Sequence, residues 1–305
     1  MYQFLYCFDE NYVKQAFTSI FSILENVDRN IKFDIITNLN EDKIHIPKKI
    51  YNHSYLESIS FHKISMSNVE LYNLSEAHVT EATFYRLFLQ DYIKDESFIT
   101  YLDCDVICLS NPLPAIDNVY KMMQKDKKFI SFNTEINRSD GYNYFDNLSL
   151  KGDTYFNAGV MVFDLREWTN LNVKDKALNL IPKIKEKAIF WDQDILNIIF
   201  DNKYFELPKE LNSRSREEEI PNIIFHHFSG KHKPWTIKGF DQKHSSDFHK
   251  FYEHIYKNKY LITTSNFKNG RKQLNNYLSN KFKFDFDNII FVYHAIKSLI
   301  KKAIN

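Results

Sequence analysis

Two aspartates, Asp103 and Asp105, directly follow the short apolar run Phe98–Leu102. Residues two apart in an extended chain point to the same side, so both carboxylates would project together past the end of a buried strand. Carboxylates this close repel each other unless a cation lies between them. Mg²⁺ or Mn²⁺ prefers such oxygen ligands and leaves positions for phosphate oxygens. Because this spacing is common, a pair of solvated loop aspartates is the alternative interpretation.

A second candidate site runs from His227 to Trp235 and follows the strand-like run Ile223–Phe225. His227 could supply a nitrogen ligand to the same metal, and Gly230 would let the backbone approach a ligand closely. Lys233 offers a positive charge suited to a diphosphate. The alternative is a basic surface loop anchored by its tryptophan, but the spacing of the histidine, glycine and lysine favours binding of one anion.

Two further segments place polar or small residues where a sugar could bind. Asp192 and Asp194 flank Gln193 and would fan around the start of a helix, which suits hydrogen bonds to several sugar hydroxyls. The alternative is a plain helix start with acidic residues in its first turn. The small residues from Asn157 to Gly159 precede a buried strand and permit close approach of a ligand, or they only allow a tight turn into the strand.

The elements that would position these residues alternate between strands and helices. Gln3–Phe8 is a buried apolar run, Val13–Leu24 has apolar residues at helical spacing, and Phe33–Thr37 is a second strand candidate. This order predicts a βαβ unit and hence a parallel sheet. Further strands are predicted at Ile59–Ile64, Phe98–Leu102, Phe129–Phe132 and Ala158–Phe163, and helices at Thr83–Tyr92 and at Asp192–Phe200, with Asp192 as N-cap.

The predicted fold class is α/β, with a doubly wound, Rossmann-like domain over residues 1–240 and a mainly helical, basic region over residues 241–305. Such sheets place ligands beyond the carboxyl ends of their strands. The first polar residues after each predicted strand are therefore candidates for the site: Asp9, Asn11, Thr37, Asp103 and Asp105.

Composition narrows the function. The 305 residues carry a net charge of +1, which gives no general attraction for nucleic acid. Three cysteines without a CxxC pair (Cys7, Cys104 and Cys108) argue against a disulfide framework or a zinc site and fit a reducing cytoplasm. The amino terminus lacks the features of a signal peptide, and no apolar stretch approaches the length needed to span a bilayer.

Taken in order, these motifs resemble the family 8 glycosyltransferases, a group that contains bacterial lipopolysaccharide galactosyl- and glucosyltransferases and glycogenin. The resemblance extends over about Phe4 to Trp235, and the following segment resembles the small C-terminal region of the lipopolysaccharide branch. The matching segments are Asp9–Tyr12, Tyr85–Leu87, Asp103–Asp105, Phe156–Gly159, Asp192–Asp194 and His227–Trp235, with Phe248, Tyr252 and Tyr256 beyond them.

The resemblance implies a GT-A type nucleotide-sugar-binding fold and a retaining enzyme. Such an enzyme moves galactose or glucose from a UDP-sugar to a lipopolysaccharide or lipooligosaccharide core acceptor with Mn²⁺ or Mg²⁺. A protein-linked or cell-wall glycan is the alternative acceptor. The motifs also leave open a phosphohydrolase of the haloacid dehalogenase type and a non-catalytic nucleotide-sugar-binding module. The hydrolase needs a later acidic pair, and the sequence contains no Asp-Asp.

The resemblance also implies a role for individual residues. Asp103, Asp105 and His227 would hold the metal, and Gly230 and Lys233 would grip the phosphates. The backbone at Cys7, with Asp9 and Asn11, would lie near the uridine and ribose, and Arg86 and Asp103 would contact ribose or sugar hydroxyls. Asn157, Asp192 and Gln193 would hold the transferred sugar, with Gly159 beside the donor. Cys104 departs from the small apolar residue usual at its position.

Retention can arise by double displacement or by attack of the acceptor from the same face as the departing phosphate. Double displacement needs a carboxylate close to the anomeric carbon, whereas the matching position is Gln193, whose amide is a poor nucleophile. We therefore favour front-side attack, with the departing phosphate accepting the proton of the acceptor. Asp194 is the reserve candidate for a nucleophile, and Asp192 lies beside both.

Residues 266–305 carry eight basic and two acidic side chains. We expect one apolar helical face, formed by Ile289, Val292, Tyr293, Ile296, Leu299, Ile300 and Ala303. A basic amphipathic helix can lie on an anionic cytoplasmic leaflet, which would bring a cytoplasmic enzyme to a lipid-linked acceptor. Alternatively, the helix docks on its own domain.

Overall fold

The structure is a computed structural model that describes residues 2–71, 80–94, 98–214, 220–263, 270–272, 274, 275, 278 and 286–304. The chain divides into two compact units. The first comprises Met1–Ser213 and Glu217–His227, and the second comprises Arg214–Arg216 and Phe228–Asn305. The expected boundary between residues 240 and 241 stays a prediction.

The described residues form the following elements. The strands are β1 Tyr2–Phe8, β2 Ile31–Thr37, β3 Leu56–Lys63, β4 Phe98–Leu102, β5 Val106–Cys108, β6 Ile130–Asn137, β7 Thr154–Asp164, β8 Phe205–Glu206, β9 Ser213–Arg214 and β10 Phe225–His227. The α-helices are α1 Val13–Leu24, α2 Lys48–Tyr51, α3 Ala82–Tyr85, α4 Leu113–Lys125, α5 Tyr144–Asn147, α6 Leu165–Asn170, α7 Val173–Ile184, α8 Trp191–Ile199, α9 Ser245–Tyr256 and α10 Phe286–Ile304. Short 3₁₀ helices lie at Glu41–Lys43, Arg86–Asp91, Arg138–Asp140 and Lys209–Leu211.

The main sheet has seven strands in the order β3-β2-β1-β4-β7-β6-β8. The predicted parallel pairing holds for β1 with β2 and β4, for β2 with β3, and for β6 with β8. It is wrong for β7, which is antiparallel to both β4 and β6. A parallel neighbour needs a connection that crosses to the opposite end of the sheet, whereas residues 138–153 re-enter the sheet at the end where β6 leaves it, since Asn137 pairs with Thr154.

The parallel strands of the sheet all end on the same side, and we call this side, at the carboxyl ends of those strands, the upper edge. β1, β2, β4 and β6 end there, and β7 begins there because it runs in the opposite direction. The loop after β4, the loop between β6 and β7, and the residues at the start of β7 therefore meet at the same edge. Polar side chains far apart in sequence are brought together in this way.

Burial on both faces explains the apolar character of the central strands. Leu5 and Cys7 belong to a large core cluster that also contains Tyr101, Met161 and Phe163. On the alternate positions of β1, the rings of Phe4 and Tyr6 pack against Phe33, and Phe8 packs against Phe17 of α1. The hydroxyl of Tyr6 shares a hydrogen bond of 2.7 Å with Ser19 Oγ, which satisfies the buried polar end of that ring.

Two predicted helices differ from those observed. The single helix expected at Thr83–Tyr92 is α3 followed by a 3₁₀ helix over Arg86–Asp91. Asp192 is not the N-cap of α8, because the helix begins at Trp191 after Phe190. Asp194 instead reaches back to accept hydrogen bonds from the backbone N–H groups of Ile189 and Phe190.

The second unit has an apolar core of its own. Phe291, Ala295 and Leu299 of α10 are buried beside Ile237 and Leu274, and the ring of Phe240 stacks on Phe291. The predicted apolar face of this helix is therefore divided between the core and the exposed surface. Leu299 lies inward and Val292 is partly buried against the core, whereas the other predicted members are exposed: Ile289, Tyr293, Ile296, Ile300 and Ala303.

Four charged residues of the predicted basic tail lie outside the described residues: Lys268, Lys281, Lys283 and Asp285. Among the helices that the structure describes, we find none that combines the length and the apolar character required to cross a membrane.

Candidate active site

Asp103 and Asp105 lie in the turn that joins β4 to β5 at the upper edge. The backbone N–H of Asp103 donates to the carbonyl oxygen of Gly159 at 2.8 Å, which ties this turn to β7. The hydroxyl of Tyr101 donates to Asp103 Oδ1 at 2.7 Å. The two carboxylates follow a buried strand, as the sequence predicts, and Asp105 is itself buried.

His227 is brought to these carboxylates by strand pairing. β10 pairs antiparallel with β5, and the register places His227 opposite Val106. Its Nε2 atom lies 3.4 Å from Asp105 Oδ1 and 3.9 Å from Asp103 Oδ2. One potential ligand atom from each of the three side chains lies within 4.8 Å of the others.

Hydrogen bonds to the far side of the imidazole fix its orientation. His227 Nδ1 lies 3.0 Å from Asn212 Oδ1, and Asn212 Nδ2 donates to Asn157 Oδ1 at 3.1 Å. The amide oxygen of Asn212 is thus the acceptor, so we assign the imidazole proton to Nδ1. Nε2 is the atom that faces the two carboxylates, and in the neutral imidazole its lone pair would be available to a cation between them. Two carboxylates and one neutral imidazole fit Mn²⁺ or Mg²⁺.

Gly159 is required by the close packing of this histidine. A Cβ atom on Gly159 would lie 2.2 Å from Cε1 of His227, far inside van der Waals contact. The small residue at the start of β7 therefore makes room for the imidazole. This is a structural reason for the glycine, in addition to the approach of a ligand that the sequence predicts.

Arg86 connects α8 to the turn that carries Asp103 and Asp105, which we call the aspartate turn. Its guanidinium lies 3.1 Å from Asp103 Oδ1 and 2.6 Å from Asp192 Oδ2, and it donates to the carbonyl oxygen of Ala158. Burial would lower the pKa of Arg86, but the two carboxylates hold it above its ordinary value. Burial raises the pKa of Asp192 to about 6 against the opposing effect of Arg86, and the hydroxyl of Thr83 donates to the same carboxylate.

Gln193 is held by polar contacts on both ends of its amide. Its Oε1 accepts from the backbone N–H of Ala158 at 3.0 Å and from Asn157 Nδ2 at 3.2 Å. Its Nε2 donates to Glu135 Oε2 at 3.2 Å and to the hydroxyl of Tyr155 at 3.3 Å. We call Asn157, Gln193, Glu135 and Tyr155 the amide cluster.

Sequence reasoning missed Glu135 and Asn212. Glu135 lies near the end of β6, which the sequence predicted only as far as Phe132, so the residue was not placed at the end of a strand. Asn212 follows the short 3₁₀ helix over Lys209–Leu211, and no nearby motif marks it. A longer β6 would have identified Glu135, whereas we find no signal for Asn212 in the sequence.

Asp194 lies in the first turn of α8, next to Gln193 in sequence. The residue is buried and accepts hydrogen bonds from the hydroxyl of Tyr155 and from the backbone N–H groups of Ile189 at 2.6 Å and Phe190 at 2.9 Å. Burial raises the pKa of Asp194, while these donors lower it. The contacts provide a structural task for this carboxylate, and its role as reserve nucleophile stays a prediction.

Residues after β1 form a second polar turn at the upper edge. Asp9 is buried and accepts from the backbone N–H of Asn11 at 2.9 Å and from Asn11 Nδ2 at 3.3 Å. The thiol of Cys104, buried in the aspartate turn, donates to the carbonyl oxygen of Cys7 at 3.5 Å. The turns after β1 and β4 are thus in contact, and the unusual Cys104 is accommodated between them.

Gly230 and Lys233 belong to the second unit. Gly230 has φ of 80°, a left-handed conformation that favours glycine. Lys233 is buried, and its Nζ donates to the carbonyl oxygen of Phe228 at 2.7 Å. The predicted contact of both residues with phosphates stays a prediction.

The fold and this arrangement of side chains define a glycosyltransferase of the GT-A type. Residues 3–239 match the family described as Glycosyl transferase family 8, and the chain belongs to this family. The resemblance, the α/β fold class and the enzyme class expected from the sequence, a hexosyltransferase, are confirmed.

Three similar proteins illustrate the match. General stress protein A of Bacillus subtilis is 26% identical, over 75% of this chain and 86% of its own length. Lipopolysaccharide 1,2-glucosyltransferase of Escherichia coli is 28% identical, over 74% of this chain and 71% of its own length. The crystal structure of the galactosyltransferase LgtC, with donor and acceptor sugar analogues, superposes with a TM-score of 0.71 at 19% identity. That superposition covers 83% of this chain and 96% of LgtC.

Proposed function

We propose that this protein transfers a hexose, galactose or glucose, from a UDP-sugar to a glycan acceptor, with retention of anomeric configuration and dependence on Mn²⁺ or Mg²⁺. The observation that carries the proposal is the convergence of Asp103, Asp105 and His227, whose ligand atoms lie within 4.8 Å of one another at the upper edge. Ligands of open α/β sheets bind beyond the carboxyl ends of the strands, where this cluster lies.

Asp103, Asp105 and His227 would hold the metal, and Asn212 would keep the Nε2 lone pair of the histidine directed toward it. A divalent cation at this position would offset the negative charge that develops on a departing diphosphate. Arg86 fixes the orientation of Asp103 through its ion pair. The turn after β1, with Asp9, would receive the nucleoside, and Gly230 and Lys233 would contact the phosphates.

The amide cluster supports front-side attack over a covalent intermediate on Gln193. Both ends of the Gln193 amide already take part in hydrogen bonds with neighbouring protein groups. In the proposed step, the acceptor oxygen forms the new bond to the anomeric carbon as the bond from that carbon to phosphate oxygen breaks. The acceptor proton passes to the departing phosphate. Asn157, Asp192 and Gln193 would position the sugar for this attack.

We propose a lipopolysaccharide or lipooligosaccharide core sugar as the acceptor, with a protein-linked or cell-wall glycan as the alternative. The names of two relatives support the first choice, namely lipopolysaccharide 1,2-glucosyltransferase of Escherichia coli and lipopolysaccharide 1,3-galactosyltransferase of Salmonella typhimurium. Membership in family 8 disfavours the phosphohydrolase alternative. Acceptor-dependent release of UDP would separate the enzyme from a non-catalytic binding module.

We also propose that α10 brings the protein to an anionic membrane surface on the cytoplasmic side. Ile289, Tyr293, Ile296 and Ile300 recur on its outer face, and each is at least 42% exposed. Exposed lysines at positions 297, 301 and 302 add positive charge near the end of the helix. Apolar and basic residues together on one helix favour binding at an anionic lipid surface.

Vesicle co-sedimentation tests this placement. We expect the protein to bind vesicles that contain phosphatidylglycerol more strongly than vesicles of phosphatidylcholine alone. The double variant Ile296→Gln and Ile300→Gln should reduce binding, while Ile189→Gln, at a similarly exposed isoleucine of the first unit, should not. Equal binding by all three proteins would contradict the placement.

The transfer proposal is tested by measuring thermal stability with UDP-galactose or UDP-glucose, in Mn²⁺ and in EDTA. A ligand that binds only the folded state raises its stability, so we expect a Mn²⁺-dependent increase for the true donor. Asp103→Asn should abolish that increase, and Asp42→Asn, at an exposed aspartate on a 3₁₀ helix, should retain it. An equal increase in EDTA would contradict the metal-dependent reaction.

A further inference from the structure

A stacked aromatic pair, exposed Tyr142 and half-buried Tyr144, lies in the connection between β6 and β7. Tyr142 is 54% exposed, and its ring stacks on that of Tyr144 with centroids 5.4 Å apart and an interplanar angle of 11°. The connection leaves β6 where that strand ends and enters β7 where it begins, so it belongs to the upper edge of the sheet. The pair therefore lies on the same side of the first unit as the aspartate turn.

The loop that carries this pair is held firmly, although its tip is exposed. Arg138 donates to the carbonyl oxygens of Leu150 at 2.8 Å and Gly152 at 2.9 Å, and its guanidinium lies 4.7 Å from the centroid of Phe145. A small apolar core lies beneath it, formed by Phe145, Leu148, Leu150 and Tyr155. This support presents the tyrosines in a fixed arrangement, which lowers the entropic cost of binding a ligand on them.

Ring contacts connect the pair to the amide cluster. The centroid of Tyr144 lies 6.0 Å from that of Tyr155 and 5.5 Å from that of Phe190, which immediately precedes α8. Tyr155 in turn accepts a hydrogen bond from Gln193. A ligand that stacks on Tyr142 would therefore lie near the position proposed for the transferred sugar, which Gln193 would help to hold.

Charge indicates which substrate this surface would bind. From Glu135 to Asp153 the chain carries four carboxylates and two basic side chains, Arg138 and Lys151. Arg138 also lies 3.4 Å from a carboxylate oxygen of Asp146 and of Asp153. The net negative charge disfavours a nucleoside diphosphate and does not repel a neutral sugar. A pyranose presents a face of C–H groups and an edge of hydroxyls, which matches the apolar ring and polar tip of tyrosine.

We propose that Tyr142 and Tyr144 form a stacking platform for the acceptor glycan, which binds the sugar adjoining the residue that receives the hexose. This role rests on the proposed function and adds a binding site for the acceptor sugar next to the one that receives the hexose. It assigns the platform to acceptor recognition alone. Donor binding and the transfer step depend on residues outside the connection between β6 and β7.

Steady-state kinetics with a long and a short acceptor test the platform. The long probe is the delipidated core oligosaccharide of a lipopolysaccharide, and the short probe is a methyl β-hexoside. For the long probe, we expect Tyr142→Ala to raise the acceptor KM by roughly three- to tenfold, the size of one aromatic contact. The kcat, the donor KM and the kinetics with the short probe should stay unchanged. Tyr142→Phe should raise the acceptor KM less than Tyr142→Ala does, because it keeps the ring and loses only the hydroxyl.

Tyr51→Ala is the matched control, since Tyr51 is 71% exposed on α2, outside the connection between β6 and β7. An acceptor KM for the long probe that is equal in Tyr142→Ala and wild type would overturn the platform while leaving the proposed function in place. An equal rise for both probes would also overturn it. Absence of UDP release by the wild type with either probe would instead contradict the proposed transfer itself.

Discussion

Two groups of side chains lie at the upper edge of the sheet: Asp103, Asp105 and His227, which we call the metal cluster, and the amide cluster. They differ in whether protein groups or a bound cation would satisfy their polar atoms. Asp103, Asp105 and His227 bring two carboxylates and an imidazole nitrogen within 4.8 Å of one another, an arrangement that a cation would stabilise. In the amide cluster, Asn157 and Gln193 donate to and accept from protein groups already present. We therefore interpret the first cluster as a proposed ligand site and the second as a preformed support. Substitutions in the first should mainly affect transfer, and those in the second should also affect stability.

Removing charge from the metal cluster should have the largest effect. We expect Asp103→Asn and Asp105→Asn each to lower kcat/KM by more than about a hundredfold, because a metal contributes several kcal/mol to the transition state. Without metal, the melting temperature of Asp105→Asn should stay the same or rise, since two carboxylates no longer repel each other. That of Asp103→Asn should fall, because buried Arg86 loses part of its ion pair. Transfer is measured as UDP release in Mn²⁺ and in excess EDTA. Near-normal activity of either variant in EDTA would show that the cluster does not hold a catalytic metal.

Gly159→Ala tests whether the packing of His227 matters as much as its chemistry. The added methyl would lie 2.2 Å from the imidazole and should displace it from the carboxylates. We expect loss of Mn²⁺-dependent thermal stabilisation and a cost of about 1–3 kcal/mol in the free energy of unfolding, typical of overpacking. Gly141→Ala is the control, because Gly141 has φ of 78° but no atom near the new methyl. It should cost stability through backbone strain and leave metal binding intact. Equal loss of metal binding in both variants would remove the steric argument.

Asn212→Ala breaks the contact through which the amide cluster reaches the metal cluster. Without the acceptor at 3.0 Å, the imidazole is free to change its tautomer and orientation. We expect Mn²⁺ affinity to fall by about ten- to a hundredfold, as is usual when the partner of a metal-binding histidine is removed. The measurement is a Mn²⁺ titration followed by thermal stability. Asn111→Ala, at a partly exposed turn before α4, is the control. Unchanged affinity in Asn212→Ala would mean that other contacts suffice to orient the histidine.

The sequence predicts the metal cluster better than the amide cluster for a physical reason. Asp103 and Asp105 are only two residues apart, so local geometry keeps them close even though they lie in a turn and not on the extended chain that the sequence suggests. The contact of Gln193 with Glu135 depends on the antiparallel return of β7 and on where β6 ends, which are properties of the whole sheet. For the same reason, the apolar period of β1 and α1 predicts both elements closely, while the hydrogen bonds of Asp194 to backbone N–H groups escaped prediction.

Asp194→Asn should have the smallest effect on transfer and decides between the two mechanisms. If Asp194 supports the start of α8, the amide oxygen of asparagine can still accept two of the three hydrogen bonds, those from Ile189 and Phe190, and kcat should fall by less than about tenfold. The melting temperature should fall because the buried donors at Ile189, Phe190 and Tyr155 lose part of their acceptor, a loss of roughly 1–3 kcal/mol. A nucleophile cannot be replaced by an amide in this way. Loss of all transfer by a folded Asp194→Asn, together with a covalent sugar on Asp194 of the wild type by mass spectrometry, would establish double displacement. Retained transfer, by contrast, makes the amide cluster a support that positions the sugar for front-side attack.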